Sequence, residues 1–417
     1  MLNNYICALD IGSDKLACAV AEIKKRRINK IFFESIPSKG VRSGIIIDSI
    51  ALLDRISSLV NSLRNKSGIK IKFLSTNISG EDILTKHSRA IVPLAERGNK
   101  VITGSDIEKA KEEARILGSS LEEEIIHSVA SSYTIDSKAN IINPLGLYSH
   151  RLEADLYLIC AKLSSVQSLS RTVNQAGFEI KDLFFSGLAT SRAVFDKELK
   201  EGLNIFCDIG SDITELLIFK DGALKDIEIL PIGGNDFTSK LADSLKIASE
   251  LAEDIKRSYG IIGDFEKIGE DKEILVKKSD FYKPIKQRVV AEIMTSEAKE
   301  FSAKIKDAIE KKVSCYQVDN FVVVGRAVLL EGFIETLENA LAIPVRLGRI
   351  ANPQILSLQK EHSDLSGQKF LTYLSCLGMI CQILEEKRIG ILPAHQPAKN
   401  IVKNTFNRVK EIYQEYF

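Results

Sequence analysis

Short apolar runs separated by turn residues open the chain and return near its middle. Ile6–Asp10, Leu16–Ile23 and Ile31–Ser35 read as three strands, because apolar stretches of this length between turn signals suit buried strands. The basic turn between the last two, Lys24-Lys-Arg-Arg27, reads as a solvated hairpin tip. After the glycine-punctuated loop Pro37–Asp48 the period changes. Ile50, Leu53, Ile56, Leu59, Val60 and Leu63 fall at helical spacing and predict a helix over Ser49–Lys66. Ile71–Asn77 is again a strand. In the second half, Leu183–Ser186 is a strand leading into a helix at Gly187, followed by a strand pair within Asn204–Phe219 and a strand at Leu224–Pro231. Strand-turn-strand-turn-strand thus recurs in both halves.

Between the halves, Gly80–Tyr157 has a different pattern. Strands at Thr85–Val92 and His127–Ile135 flank a helix over Gly104–Leu117, whose start carries Ser105 and Glu108 at capping-box spacing. Glu122-Glu-Glu124 reads as a solvated turn, and Asn143-Pro-Leu-Gly-Leu-Tyr148 leads to the strand Leu152–Ala161. The stretch is long enough for an inserted subdomain. The helix Val166–Ala176 then ends at Gly177, a C-cap. Ile232-Gly-Gly-Asn235 opens a helical region that includes Ser249–Tyr259. Charged Asp264–Asp280 reads as a short strand pair or an exposed excursion. Val289–Lys312 is a long amphipathic helix, Phe321–Val324 a strand ending in Gly325-Arg-Ala327, Leu330–Leu341 a helix, Val345–Leu347 a short strand and Leu371–Leu384 an apolar helix. Past Pro393 the chain turns polar, and a final helix is predicted at Val402–Phe417.

The two halves share one string. Asp-Ile-Gly-Ser-Asp stands at 10–14, within Cys7–Lys15, and again at 208–212, within Phe206–Thr214. Strands joined by Gly-Ser-Asp predict a tight hairpin, with glycine supplying backbone angles that other residues avoid. A turn without side-chain bulk lets backbone N–H groups approach a phosphate. Asp10 and Asp208 would repel phosphate directly, but each could hold a hydrated Mg2+, which takes a carboxylate, waters and phosphate oxygens. One such string alone would be an ordinary hairpin turn. Two, half a chain apart, suggest a clamp for a nucleoside triphosphate.

Composition narrows the class. At 417 residues, 45% hydrophobic and 27% charged, the chain is expected to be a soluble globular protein of two or more domains. A net charge of +1 argues against a broad nucleic-acid-binding surface. The seven cysteines, at 7, 18, 160, 207, 315, 376 and 381, form no CxxC pair and mostly sit in apolar runs. They read as reduced core residues of a cytosolic protein. The histidines have no metal-site spacing. The start of the chain leads straight into a strand, so no signal peptide is expected, and no apolar run is long enough for a membrane-spanning helix.

The order of elements resembles the actin, sugar-kinase and heat-shock-chaperone ATPase superfamily, and within it most of all the FtsA family of bacterial cell division. The motifs that carry the likeness run over nearly the whole chain. They are Asp10-Ile-Gly-Ser with Lys15, Pro37-Ser-Lys-Gly40 with the Gly44–Asp48 loop, and Asn143-Pro-Leu-Gly-Leu147 with Arg151. They continue with Phe185-Ser-Gly-Leu-Ala189, Cys207-Asp-Ile-Gly210, and Ala252-Glu-Asp-Ile-Lys256 before Tyr259-Gly260, and end with the terminal helix. The resemblance implies an α/β, actin-like two-lobed ATPase fold with duplicated βββαβα units. It implies subdomain 1A from 1–80 and 162–203, with about 370–392 returning to it, and an inserted subdomain 1C at 81–161. Subdomain 2A would take 204–234 and 315–369, 2B 235–314, a linker 393–401 and an amphipathic helix 402–417.

The resemblance also assigns roles. Gly12, Ser13, Asp14 and Lys15 would hold one side of the phosphates of ATP, and Asp208, Gly210, Ser211 and Asp212 the other. Gly187 lies on the connecting helix, and Glu253, Lys256, Gly325 and Arg326 would frame the nucleoside, with Asp10 and Asp208 orienting Mg2+ through water. Two departures stand out. The family's second hairpin is usually Asp-Ile-Gly-Gly-Gly-Thr, whereas Ser211 and Asp212 here replace two glycines and bring a negative charge near the phosphates. The family's adenosine turn is usually Gly-Gly, whereas here it is Gly325-Arg326; Arg326 could stack on the base, reach a phosphate or crowd the pocket. No residue stands out as a water-activating base, so at most weak ATPase activity is expected.

Phe406, Val409, Ile412, Tyr413, Tyr416 and Phe417 share one face of the terminal helix, with Arg408 and Lys410 beside it. Such a helix can lie in a membrane interface, or it can pack on its own domain. The family implies the first, with anionic lipids at the cytoplasmic face of the cell membrane at the septum. It further implies self-assembly into protofilaments, other division proteins meeting subdomain 1C, and the C-terminal tail of FtsZ binding subdomain 2B, where Lys283, Lys286, Arg288 and Lys304 are basic candidates. The alternatives are an actin-like pilus-assembly protein and a small-molecule kinase of the same superfamily.

Overall fold

The computed structural model describes residues 5–25, 27–95, 98–195, 201–263, 272–278, 281–359 and 362–389. These fall into two compact units. The first lies within residues 1–196, 223–225 and 350–417, the second within 197–222 and 226–349.

The first unit is built on a five-stranded sheet. Its order is Glu179–Phe185, Phe73–Ile78, Tyr5–Ile11, Lys15–Lys24, Arg27–Pro37. The last three form an antiparallel meander, while Tyr5–Ile11 runs parallel to Phe73–Ile78, and that strand parallel to Glu179–Phe185. Parallel neighbours need a crossover, and the helix Ser49–Ser67 supplies the first. Its start is fixed by Asp48, whose Oδ1 accepts the N–H groups of Ile50 and Ala51. The buried stripe is Leu52, Ile56, Leu59, Val60 and Leu63, whereas Ile50 is 73% exposed. The sequence reading therefore set the first turn in the wrong phase. Leu52, Ile56, Leu59 and Leu63 keep the i, i+4, i+7 spacing that faces the sheet.

The inserted segment forms its own antiparallel sheet, in the order Lys138–Ile141, Glu123–Ile135, Arg151–Lys162, Ile83–Pro93. The helix Gly104–Leu117 covers it, burying Ala110 and Ala114. Its capping box is Thr103 with Asp106, not Ser105 with Glu108: Thr103 Oγ1 accepts the Asp106 N–H, and Asp106 Oδ2 accepts the Thr103 N–H. Glu123 and Glu124 are not a turn either. They begin a strand, pairing with Lys162 and Ala161 of Arg151–Lys162, and the Glu123 carboxylate meets Lys86 Nζ. Asn143–Leu147 is an Asx turn in which Asn143 Oδ1 accepts the Leu145 N–H, and Arg151 reaches Ser137 Oγ at 2.9 Å.

The second unit repeats the arrangement of the first. Its sheet runs Ala223–Leu230, Thr214–Lys220, Leu203–Ile209, Asn320–Val324, Val345–Leu347. Again a hairpin leads on to parallel neighbours. The helices Gly234–Leu245, Ser249–Tyr259, Gln287–Glu310 and Phe333–Leu341 pack here. Their core includes Phe237, Phe301 and Phe333, with ring centroids 5.6 to 5.7 Å apart. Glu273–Lys278 and Phe281–Lys286 form a short strand pair; only the first strand lies within 264–280, where residues 264–271 and 279–280 are outside the described residues. The helix predicted from Leu330 begins at Phe333, because Gly332 sits in the left-handed region at φ 82° and breaks the chain direction.

All seven cysteines are buried free thiols. Burial pushes the thiols of Cys207 and Cys376 well above their ordinary range, so they stay protonated core residues.

Candidate functional site

The two hairpins that share a sequence also share a geometry. Asp10 and Ile11 pair with Ala17 and Leu16, while Asp208 and Ile209 pair with Glu215 and Thr214. The Gly12 N–H donates to Lys15 O at 3.0 Å, and the Gly210 N–H to Ile213 O at 2.9 Å. Neither glycine lies at positive φ. Left-handed backbone is therefore not why glycine is needed. A Cβ would stand 3.0 Å from Lys15 O at Gly12 and 2.8 Å from Ile213 O at Gly210, so the turn requires space.

In the first unit, Asp10, next to last in its strand, is 8% exposed, with both carboxylate oxygens engaged. Asn77 Nδ2 donates to Oδ1 at 2.6 Å, and Lys15 Nζ to Oδ2 at 3.2 Å. Lys15 also donates to the carbonyl of Thr372 at 2.6 Å. Asn77 does three things at once: it holds Asp10, accepts the Ile11 N–H at 2.8 Å and donates to Ser186 Oγ at 3.0 Å. Ser186 opens the helix Ser186–Val194, in which Gly187 is buried. The Pro37–Gly40 loop is tied to the tip of the hairpin, where the Ser38 N–H donates to Asp14 O. Asn77 and Thr372 carry no role in the sequence reading, and Ser186 enters it only as part of the Phe185–Ala189 motif. The available signal was Ser75-Thr76-Asn77, three polar residues completing a strand whose neighbours are apolar; all three are buried.

In the second unit, the hairpin tip rests on the start of the helix Gly234–Leu245. The Asn235 N–H donates to Ser211 O at 2.7 Å and the Gly234 N–H to Gly210 O at 2.9 Å. A Cβ at Gly233 would stand 2.4 Å from Ser211 O, so this glycine permits the close approach. Asp212 Oδ1 accepts from Asn235 Nδ2 at 2.7 Å. The charge that replaces a glycine is thereby tied to the helix start.

Lys256, 8% exposed, bonds to Gly234 O at 2.9 Å, Thr238 Oγ1 at 2.8 Å and Glu253 Oε2 at 2.6 Å. Burial pulls its ammonium down, while Glu253 opposes that shift. Burial raises the Glu253 carboxyl, but the hydrogen bonds from Lys256 and Thr238 outweigh it and hold the group below its ordinary range. Gly325 sits at φ 99°, and a Cβ there would fall 2.0 Å from Ile209 O. Arg326 beside it is exposed, and local desolvation lowers its guanidinium without discharging it. The structure thus gathers Asp10, Lys15 and Gly187 in one unit, and Gly210, Ser211, Asp212, Glu253, Lys256 and Gly325 in the other.

The described basic candidates, Lys286, Arg288 and Lys304, do not form one patch. Lys286 precedes the helix Gln287–Glu310 and Arg288 lies in its first turn, with Arg288 Nε 3.4 Å from Glu292. Lys304 lies on the same helix about 24 Å further along the axis and about 160° around it. The side chain of Lys283 lies outside the described residues, as do Phe406, Arg408, Val409, Lys410, Ile412, Tyr413, Tyr416 and Phe417 of the terminal segment. Among the described residues no helix is long and apolar enough to cross a membrane, and no group of three or more His, Cys, Asp or Glu could by itself hold a metal ion.

Comparison with known proteins gives two family matches. Residues 205–374 match the family described as cell division protein FtsA, and residues 80–160 match the SHS2 domain inserted in FtsA. Together they take in more than half of the chain. A cell division protein FtsA of Borreliella burgdorferi is 27% identical over 94% of each chain. That of Neisseria meningitidis is 26% identical over 82% of this chain and 83% of its own. That of Escherichia coli is 24% identical over 83% and 84%. Among solved structures, a PilM–PilN type IV pilus biogenesis complex superimposes with a TM-score of 0.61 at 15% identity, covering 93% of this chain and 99% of its own. MreB 5 of Spiroplasma citri bound to AMPPNP gives a TM-score of 0.53 at 10% identity, covering 94% and 100%. These likenesses place the fold among actin-like proteins.

Proposed function

The chain belongs to the FtsA family of bacterial cell division proteins, and from that membership we propose that it is an actin-like cytoplasmic adaptor of the division ring. It binds ATP with Mg2+, self-assembles, and tethers FtsZ to the inner face of the cell membrane at the septum. The observation that carries the reading is the matched pair of Asp-Ile-Gly-Ser-Asp hairpins, each at the same place in one of two like sheets. A comparable actin-like fold, that of MreB 5, holds AMPPNP.

In this reading Gly12, Ser13, Asp14 and Lys15 meet phosphate oxygens on the first unit. On the second, the backbone N–H groups of Gly210, Ser211 and Asp212 do so, while Asn235 holds the Asp212 carboxylate aside. Glu253, Lys256, Gly325 and Arg326 face the nucleoside. Asp10 has Asn77 and Lys15 on its two oxygens, so it fits Mg2+ through water and not by direct ligation. The ion would neutralise phosphate charge. The chain is a nucleotide-dependent assembly switch with at most weak ATPase activity. The inserted sheet meets other division proteins, the segment 235–314 meets the FtsZ tail, and 402–417 lies on anionic lipid.

Flotation with anionic liposomes, comparing residues 1–417 with 1–397 with and without Mg2+ and ATP, tests this reading. Only the full chain is expected to float, and more of it with ATP. If both chains float or neither does, the anchor fails and an actin-like pilus-assembly role, the alternative consistent with the PilM likeness, replaces it. Phosphate transfer to a panel of sugars would instead identify a kinase.

A further inference from the structure

His127 lies on the strand Glu123–Ile135 of the inserted sheet, 9% exposed. Its Nε2 accepts the backbone N–H of Phe185 at 2.9 Å, which places the ring proton on Nδ1. Phe185 ends Glu179–Phe185, the edge strand of the first unit's main sheet. An edge strand leaves alternate N–H groups without a partner in the sheet. Phe185 is fully buried, so its N–H needs the acceptor that the imidazole provides.

The bond continues towards the hairpin. Phe185 precedes Ser186, whose Oγ accepts from Asn77 Nδ2 at 3.0 Å. The same amide donates to Asp10 Oδ1 at 2.6 Å, and its Oδ1 accepts the Ile11 N–H at 2.8 Å. Every member of this chain is inside one compact unit.

We propose that His127 is a positioning residue for the Asp10 hairpin, linking the inserted sheet to the nucleotide half-site through Phe185, Ser186 and Asn77. The nucleotide part rests on the function proposed above. Whatever displaces the Glu123–Ile135 strand then alters the orientation of Asp10, and by linkage a ligand at Asp10 alters the inserted sheet by the same factor.

The test is amide exchange at Ile11 in the full, ligand-free chain, alongside affinity for Mg2+ and ATP. H127L removes the acceptor and is expected to speed Ile11 exchange about tenfold and to weaken ATP about threefold or more, the scale of one unsatisfied buried donor. H127Q carries an oxygen to the position of Nε2 and is expected to stay within about twofold of the parent on both readouts. S186A breaks the next link and is expected to match H127L, and the double variant to be no worse than either single one. Unchanged Ile11 exchange in H127L or S186A, or H127Q as impaired as H127L, overturns the proposal. Should H127L not fold, S186A and H127Q decide it. If the parent chain binds no ATP, the nucleotide reading fails, and the exchange comparison still decides the positioning role.

Discussion

Asn235 donates its side-chain amide to Asp212 at 2.7 Å and its backbone N–H to Ser211 O at 2.7 Å. One residue at the start of a helix thus fastens both substituted positions of the second hairpin. The negative charge is directed to the helix start, where backbone N–H groups favour it.

Releasing that carboxylate should cost nucleotide affinity. Unit charges about 8 Å apart in water repel by ~0.5 kcal/mol, a factor of two to three. N235A is expected to weaken ATP by about that factor and D212G to strengthen it by a similar one. Titration of a fluorescent ATP analogue at constant ionic strength measures both, and a D212G affinity below that of the parent chain would show that Asp212 helps binding.

Lys256 ties three groups of the second unit together. K256M leaves Gly234 O and Glu253 without their shared cation, while Glu253 keeps Arg257 and Thr238. A loss of about 1–3 kcal/mol is expected, seen as a lower urea midpoint at constant slope. An unchanged midpoint would refute it.

Gly378 is the place where the helix Leu374–Ile389 crosses Ser186–Val194. A Cβ there would fall 1.7 Å from Ala189 O, a backbone atom with little freedom to yield, whereas one at Gly68 meets nothing within 4 Å. G378A should therefore destabilise by about 3 kcal/mol or more and G68A by about 1 kcal/mol, the strain of its φ 71° alone. Thermal melting of the two variants side by side checks the ranking.

The Thr103 side chain, Lys100 and the Thr103 N–H hold the Asp106 carboxyl down at about 2. A depressed carboxyl adds stability above its unfolded pKa of about 3.9 and loses it as pH falls through the folded value. The stability difference between the parent chain and D106A should be full above about pH 4 and shrink towards pH 2. A difference that stays constant over that window would mean that the carboxylate charge plays no part in the cap.

The repeated string is the part of the site most legible in the sequence. Asp10, Gly12 and Lys15 recur in pattern as Asp208, Gly210 and Ile213 because a hairpin turn is local: adjacent residues set both the strand ends and the bond across them. Two helix extents are equally readable, Gly104–Leu117 and Ser249–Tyr259, whereas the helix expected from Leu330 begins only at Phe333. Errors arise where neighbours in sequence compete. Thr103 and Ser105 can each open the same helix, and Leu52 and Leu53 each suit a stripe. Lys100 on one side of Asp106 and the sheet under Leu52 decide between them.

By itself the sequence determined the duplicated strand order, the two hairpins and their glycines, because each depends on residues a few positions apart. Only the tertiary structure decided what surrounds them. The bonds from Asn77 to Asp10, from Asn77 to Ser186 and from Lys15 to Thr372 span 67, 109 and 357 positions, and Asn235 reaches Asp212 across 23. No period or spacing encodes such contacts. They arise when parallel strands and crossing helices bring distant polar groups into a dry interior, where each must find a partner.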